Sequence, residues 1–231
     1  MLYRAVSLLA GVLAGLACLP GVALAKGGRS PLDTRAPDVF APTAHLEPAG
    51  HWDLDYGLGA ATGPNAPQPP VTPVPQVLGM YGISERTDLL VGMFGPGPTA
   101  FVRQALVPDR LNVEAGVQSW VIPAISFGPL AELQLDVPLG RARLHLVPGV
   151  QQMLGARTDF TSFGVIGLEC PIGEAWDLSG SLKTTYSTAL PLDVGPSLGL
   201  RYRVNAGTAV EGVFMLLAGA PTGLVMVGNR F

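Results

Sequence analysis

Two groups of titratable side chains could do chemistry in this chain of 231 residues. Asp53 and Asp55 are two residues apart, a spacing that places both carboxylates on one face of a strand, where they could serve a metal ion or acid–base catalysis. His145 follows an acidic stretch and could act as a general base. Paired carboxylates on a polar strand face are more often solvated wall residues, and no serine near His145 is evident. We therefore predict no catalytic residue, no cofactor and no metal site.

His145 belongs to a predicted hairpin over residues 130–150, LAELQLDVPLGRARLHLVPGV. Polar and aliphatic residues alternate on both sides of its turn, which is typical of strands with one polar face. The pairs expected from a turn at Pro138 and Leu139 are Asp136 with Arg141, Gln134 with Arg143, and Glu132 with His145. The other face carries Leu133, Leu135, Leu144 and Leu146. One polar and one aliphatic face suit a barrel strand between a polar lumen and lipid.

Residues 1–25 have the form of a secretory signal peptide. Arg4 precedes an apolar run, and Ala23-Leu24-Ala25 supplies an A-x-A cleavage site. The apolar run is shorter than the roughly 20 residues of a helical span, which favours cleavage over an uncleaved anchor. Cys18 raises lipidation as a minor alternative, because glycine stands where a lipobox has leucine.

The composition is apolar without further helical spans. Mean hydropathy is +0.38 and charged residues make up only 13%, whereas soluble domains carry about 25%. Every later apolar run is broken by Gly, Pro or a charge. This combination favours a lipid-facing barrel over a secreted, soluble β-sandwich that binds a ligand, which stays an alternative. The net charge of −3 argues against nucleic acid as a partner.

Alternating segments predict an all-β fold: an antiparallel, up-and-down transmembrane barrel of about 12 strands, with 10 or 8 as alternatives. The strands outside the hairpin are predicted at 51–61, 76–82, 87–95, 99–106, 111–121, 158–170, 176–187, 197–204, 208–217 and 223–231. Short turns are predicted at 83–86, 108–110, 138–140, 171–174 and 205–207, on the periplasmic side with both termini. The connections 62–74, 95–98, 122–128, 188–196 and 218–222 are predicted on the outside. The domain organisation is then a signal peptide (1–25), an irregular N-terminal arm (26–50) and the barrel (51–231).

Two short stretches resemble known outer-membrane proteins. The sequence YGISERTDLLVG, residues 81–92, resembles hairpins of small bacterial outer-membrane β-barrels, both porin-like and transporter-like. The final Phe231 resembles the terminal signature that bacterial barrel-assembly machinery recognises. The resemblance implies a Gram-negative outer-membrane location after export, with lipid and the assembly machinery as partners, and it assigns no activity.

The polar strand faces predict a mixed-charge lumen. Its predicted lining residues are Arg103, Glu114, Glu132, Gln134, Asp136, Arg141, Arg143, His145, Lys183, Arg201 and Glu211, with Arg201 opposite Glu211. Opposite charges in register favour a partly occluded lumen: a narrow channel, a transporter of an unidentified small solute, or a structural barrel. An outer-membrane enzyme acting on lipid and a lumen plug formed by the arm (26–50) are further alternatives.

Overall fold

The computed structural model describes residues 44, 46–61, 72–94, 97–120, 126–155, 158–187, 192–205, 207–217 and 220–231. These residues belong to one compact unit, Leu32–Phe231. The predicted signal peptide and the first part of the arm, up to residue 43, lie outside the described residues.

Twelve antiparallel strands close into one barrel, in which each strand pairs with its neighbours in sequence and β1 pairs with β12. The strands are β1 (Trp52–Ala61), β2 (Thr72–Ser84), β3 (Thr87–Phe94), β4 (Gly97–Val107), β5 (Leu111–Trp120), β6 (Ser126–Leu139), β7 (Ala142–Met153), β8 (Asp159–Pro171), β9 (Trp176–Ser187), β10 (Asp193–Asn205), β11 (Thr208–Leu217) and β12 (Ala220–Arg230). The predicted twelve-stranded barrel is confirmed, and the closed ladder excludes a two-sheet sandwich.

One end of the barrel, here the turn end, carries the tight turns after β2, β4, β6, β8 and β10. Both ends of the barrel sequence meet there: the Trp52 N–H donates to the Phe231 carbonyl (3.2 Å), and the Phe231 N–H donates to the Trp52 carbonyl (2.8 Å). The opposite end is the far end. All five predicted turns are present at the end where the barrel sequence begins and ends, although the β6–β7 turn is displaced from its predicted position.

The far-end connections are shorter than predicted. Five strands begin inside the connections predicted at 62–74, 95–98, 122–128, 188–196 and 218–222, namely β2, β4, β6, β10 and β12. Only 95–96 and 218–219 separate the strands of two of these hairpins. The contrast in loop length between the two ends is therefore weaker than the sequence indicated.

The proline-rich start of β2 shows why those connections were misjudged. Pro73 and Pro75 pair with β1, although prolines this dense predict a loop. On the other side, the described β3 ends at Phe94, opposite Gln76. Prolines two residues apart direct their nitrogens to the same side of a strand. They are tolerated when no neighbouring strand needs a hydrogen-bond donor on that side.

The β6–β7 hairpin turns two residues later than predicted. The turn is Gly140-Arg141, and Gly140 has a φ of 66°, as two-residue hairpin loops that begin with glycine require. Asp136 consequently faces His145, and Arg143 faces Pro138, so the three predicted pairs are wrong. Each strand slides by an even number of residues, which keeps every side chain on its predicted face.

The outer face is apolar between two groups of aromatic side chains. Near the turn end, Trp52 contacts Tyr81 and Trp176 contacts Tyr202, with ring centroids 4.8 and 4.6 Å apart. Near the far end, Phe127, Phe160 and Tyr186 are exposed. Trp176 and Tyr186 lie at opposite ends of β9, about 33 Å apart along the strand. Because barrel strands are tilted by about 35–45° from the barrel axis, this distance corresponds to a height of about 25 Å along the axis. That height equals the apolar band of an outer-membrane barrel.

Among the residues that the structure describes, no helix has the length and apolar character needed to cross a membrane.

Candidate functional site

The inner face carries its charges near the turn end, in what we call the charged layer. Its carboxylates are Asp53, Asp55, Asp88, Glu114, Glu132, Asp136, Glu169, Asp177 and Glu211. Its other members are Arg103, Arg143, Arg201, Arg203, His145, Asn112 and Gln134. Counted from the turns, these residues occupy the first positions of their strands, so the closed ladder gathers them at one end of the lumen.

A chain of ion pairs runs along the wall from β6 to β11. The His145 Nδ1 lies 2.7 Å from Asp136 Oδ1, and its Nε2 lies 3.5 Å from Glu169 Oε2. Arg201 donates from Nη1 to Glu169 (3.3 Å) and from Nη2 to Glu211 (3.1 Å). The predicted register of Arg201 opposite Glu211 is confirmed. Arg201 thus compensates two carboxylates at once.

Two further ion pairs anchor the layer. Arg103 donates from Nε to Asp88 Oδ1 (2.8 Å) and also contacts Oδ2 through Nη2, and both residues are buried. Arg203 donates to both oxygens of Asp177, from Nε to Oδ2 (3.0 Å) and from Nη2 to Oδ1 (2.5 Å). Such forked pairs hold guanidinium and carboxylate in fixed geometry, so these side chains are rigid parts of the wall.

Several buried polar groups lack a hydrogen-bond partner among the described residues. The Gln134 amide donates to Glu114 (2.9 Å) and Glu132 (2.8 Å), but its oxygen accepts no hydrogen bond. Asn112, opposite Gln134, makes no side-chain hydrogen bond. Asp55 is 2% exposed, and neither of its carboxylate oxygens has a hydrogen-bond partner. Buried polar groups are normally satisfied, so these groups are exceptions among the described residues.

The structure brings together most of the predicted lining residues. Those buried on the inner face are Arg103, Glu114, Glu132, Gln134, Asp136, His145, Arg201 and Glu211. Arg143 is partly exposed and lies 3.5 Å from Asp136. Lys183 lies further from the turns, with its ammonium 5.2 Å from the centroid of the Phe163 ring. Arg141 is in the Gly140-Arg141 turn rather than on a strand, which corrects its predicted place opposite Asp136.

Sequence reasoning left out five carboxylates of the charged layer. Asp53 and Asp55 were assigned to a polar strand face but not to the lumen, and Asp88, Glu169 and Asp177 were not singled out. Asp88 is the second residue of β3, and Asp177 the second of β9. The sequence signal that could have identified these carboxylates is their position. Acidic residues just after a tight turn alternate with apolar residues on the same strands.

Three apolar clusters lie on the inner face. The first consists of Leu78, Met80, Leu90 and Phe101, the second of Val213, Met215, Leu224 and Met226, and the third of Val147 and Val165. Two of them adjoin the charged layer, because Met80 pairs with Asp53 and Met226 with Glu211 across the ladder. The sequence predicted a polar inner face, whereas the structure shows one that is partly apolar.

His145 lies between two carboxylates of the wall. Its Nδ1 is within hydrogen-bond distance of Asp136, and its Nε2 faces Glu169. Within the described residues, no group of three or more His, Cys, Asp or Glu side chains could hold a metal ion.

No family model and no curated protein matches the sequence. Solved structures do match the fold. The structure is similar to the NanC porin (TM-score 0.58, 11% identity, covering 76% of this chain and 98% of that one). It is also similar to the KdgM porin (TM-score 0.56, 13% identity, covering 78% of this chain and 99% of that one). A bacterial polysaccharide outer-membrane secretin gives a TM-score of 0.51 at 9% identity, covering 80% of this chain and 99% of that one. At these identities the likeness concerns the fold alone: this closed twelve-stranded barrel resembles outer-membrane porins in fold.

Proposed function

We propose that this protein is an outer-membrane barrel that forms a narrow channel with a preference for small cations. The outer face supports the membrane location, because an apolar band about 25 Å tall between two aromatic groups matches the bilayer. The fold it shares with the NanC and KdgM porins supports the same location. The turn end and both termini of the barrel then face the periplasm.

The observation that carries the cation preference is the charge of the layer. By formal charge, nine carboxyl groups stand against four guanidinium groups and the imidazole of His145, which is an excess of acidic side chains at the turn end of the lumen. Charged rings of one sign select ions of the opposite sign. The ion-paired side chains and the apolar clusters occupy part of the lumen, which favours ions over larger solutes.

The sign of the charge also separates this lumen from one similar porin. The KdgM porin has been solved in complex with disordered oligogalacturonate, which is an acidic sugar chain. A net negative lumen repels such a polyanion. We therefore propose inorganic cations, and not acidic oligosaccharides, as the permeating species, and we assign no catalytic role.

Neutralising Asp177 should weaken the cation preference. Asp177 lies on the inner face in a forked ion pair with Arg203, so Asp177→Asn removes a negative charge from the charged layer and leaves the Arg203 guanidinium uncompensated there. In a planar bilayer with a KCl gradient, we expect the wild-type reversal potential to have the sign of K⁺ flow and Asp177→Asn to move it towards zero.

Glu174→Gln is the matched control, because it removes one carboxylate from the exposed turn after β8. It should leave the reversal potential unchanged. A wild-type potential with the sign of Cl⁻ flow, or equal values for wild type and Asp177→Asn, would refute the proposed selectivity.

We also propose that Phe231 takes part in assembly. Its backbone pairs with Trp52 at the seam of the barrel, while its side chain is exposed. Phe231→Asp retains both backbone hydrogen bonds, so it should reduce the amount of heat-modifiable barrel in cells much more than the stability of barrel refolded in detergent. Equal amounts of barrel in wild-type and variant cells would remove this role.

A further inference from the structure

The chain before β1 turns into the barrel mouth and is tied to the end of β2. The Gly50 N–H donates to the Gly82 carbonyl (2.8 Å), and the Gly82 N–H donates to the His51 carbonyl (3.1 Å). The His51 N–H donates to the Pro48 carbonyl (3.0 Å), and Ala49 forms a parallel bridge with Gly82. Residues 46–50 are thus held at the turn end by backbone hydrogen bonds.

Glu47 places this segment inside the charged layer. Its backbone N–H donates to Asp88 Oδ2 (3.0 Å), and the residue is only 4% exposed. Asp88 is itself buried and fixed by Arg103. The Asp88 carboxylate therefore joins the wall of the barrel to residues 46–50, and Glu47 brings a further carboxylate to the charged layer.

Gly82 provides the space in which the segment lies. It shares the inner face of β2 with the buried Leu78 and Met80. A β-carbon at this position would come within 2.0 Å of the Pro48 carbonyl oxygen and 2.6 Å of that of Glu47. Both contacts are far below van der Waals distance and both involve backbone, so any side chain at 82 must displace the segment.

From this geometry we propose that residues 46–50 are a plug that narrows the periplasmic mouth of the lumen, with Gly82 as its seat and Asp88 as its anchor. The plug follows from contacts in the structure. Its effect on ion flow rests on the proposed channel function, so the two are tested by separate measurements.

Gly82→Ala is the test variant and Gly79→Ala its matched control. Gly79 lies on the same strand, but the atoms nearest to its added β-carbon are 3.8 Å away, an ordinary contact. The parent protein for labelling carries Glu47→Cys and Cys170→Ala. Gly82→Ala and Gly79→Ala are each added to this parent, and a membrane-impermeant maleimide is applied to the folded mature barrel. We expect slow labelling at 47 in the parent and in Gly79→Ala, and several-fold faster labelling in Gly82→Ala. Equal rates in all three, with heat-modifiable mobility retained, would overturn the plug.

Conductance in planar bilayers is measured with residue 47 as Glu. Gly82→Ala should raise single-channel conductance several-fold, whereas Gly79→Ala should not. A full-length variant with residues 46–49 replaced by Gly and Ser leaves β2 intact, and it should raise conductance even if Gly82→Ala does not fold. Unchanged conductance in that variant would overturn the plug. If no variant conducts ions while labelling at 47 still changes, the channel function fails and the plug stands.

Discussion

Replacing Arg201 with alanine is expected to lower the free energy of unfolding by about 3–5 kcal/mol. Arg201 is buried between Glu169 and Glu211, at 3.3 and 3.1 Å. Its removal leaves both carboxylates in a poorly solvated wall without their cation, and such uncompensated charges cost more than the ion pair contributes. The measurement is denaturant unfolding of the barrel in detergent micelles.

The control for Arg201→Ala is Arg141→Ala, which removes the same side chain from the β6–β7 turn. Arg141 makes no ion pair with another described residue, so its loss should change stability by no more than about 0.5 kcal/mol. Glu211→Gln should relieve part of the cost of Arg201→Ala, with a coupling of about 0.5–3 kcal/mol in a double-mutant cycle. Similar stabilities for Arg201→Ala and Arg141→Ala would show that the ion-pair chain contributes nothing to the fold.

Ile166→Arg is expected to destabilise the barrel by about 2–4 kcal/mol in lipid vesicles. Ile166 is exposed on the outer face near the middle of β8, and its neighbours across the ladder are Leu146 and Leu182. A guanidinium group at the midplane of the bilayer loses its hydration and finds no polar partner on this face.

Leu192→Arg is the matched control. Leu192 is exposed next to the start of β10, at the far end of the barrel. An interfacial arginine reaches water, so this change should cost only about 0–1 kcal/mol. Equal costs at the two positions would mean that the apolar band does not face lipid, and the proposed location would then be wrong.

The sequence by itself determined the number and order of the strands and the two faces of the β6–β7 hairpin. Neighbouring side chains of a strand point to opposite faces, so alternation assigns Leu133 and Gln134 to different faces without knowledge of their partners. That is why the faces of β6 and β7 are as predicted although the hairpin turns at Gly140 instead of Pro138.

Apart from Arg201 opposite Glu211, which the sequence predicted, only the tertiary structure decided which charges meet. A cross-strand partner depends on turn geometry and on the stagger around the closed ladder, and neither is encoded in the period of one strand. Arg201 reaches Glu169 across the intervening strand β9, a contact that no hairpin predicts.

The closed barrel also decided what the lumen contains. The middle parts of β2 and β12 are apolar on both faces, so alternation could not show that Met80 and Met226 point inward. The seat of residues 46–50 at Gly82 depends on the mouth that the barrel forms when β1 pairs with both β2 and β12. Local patterns determine which way a side chain points, whereas closure of the ladder determines what it meets there.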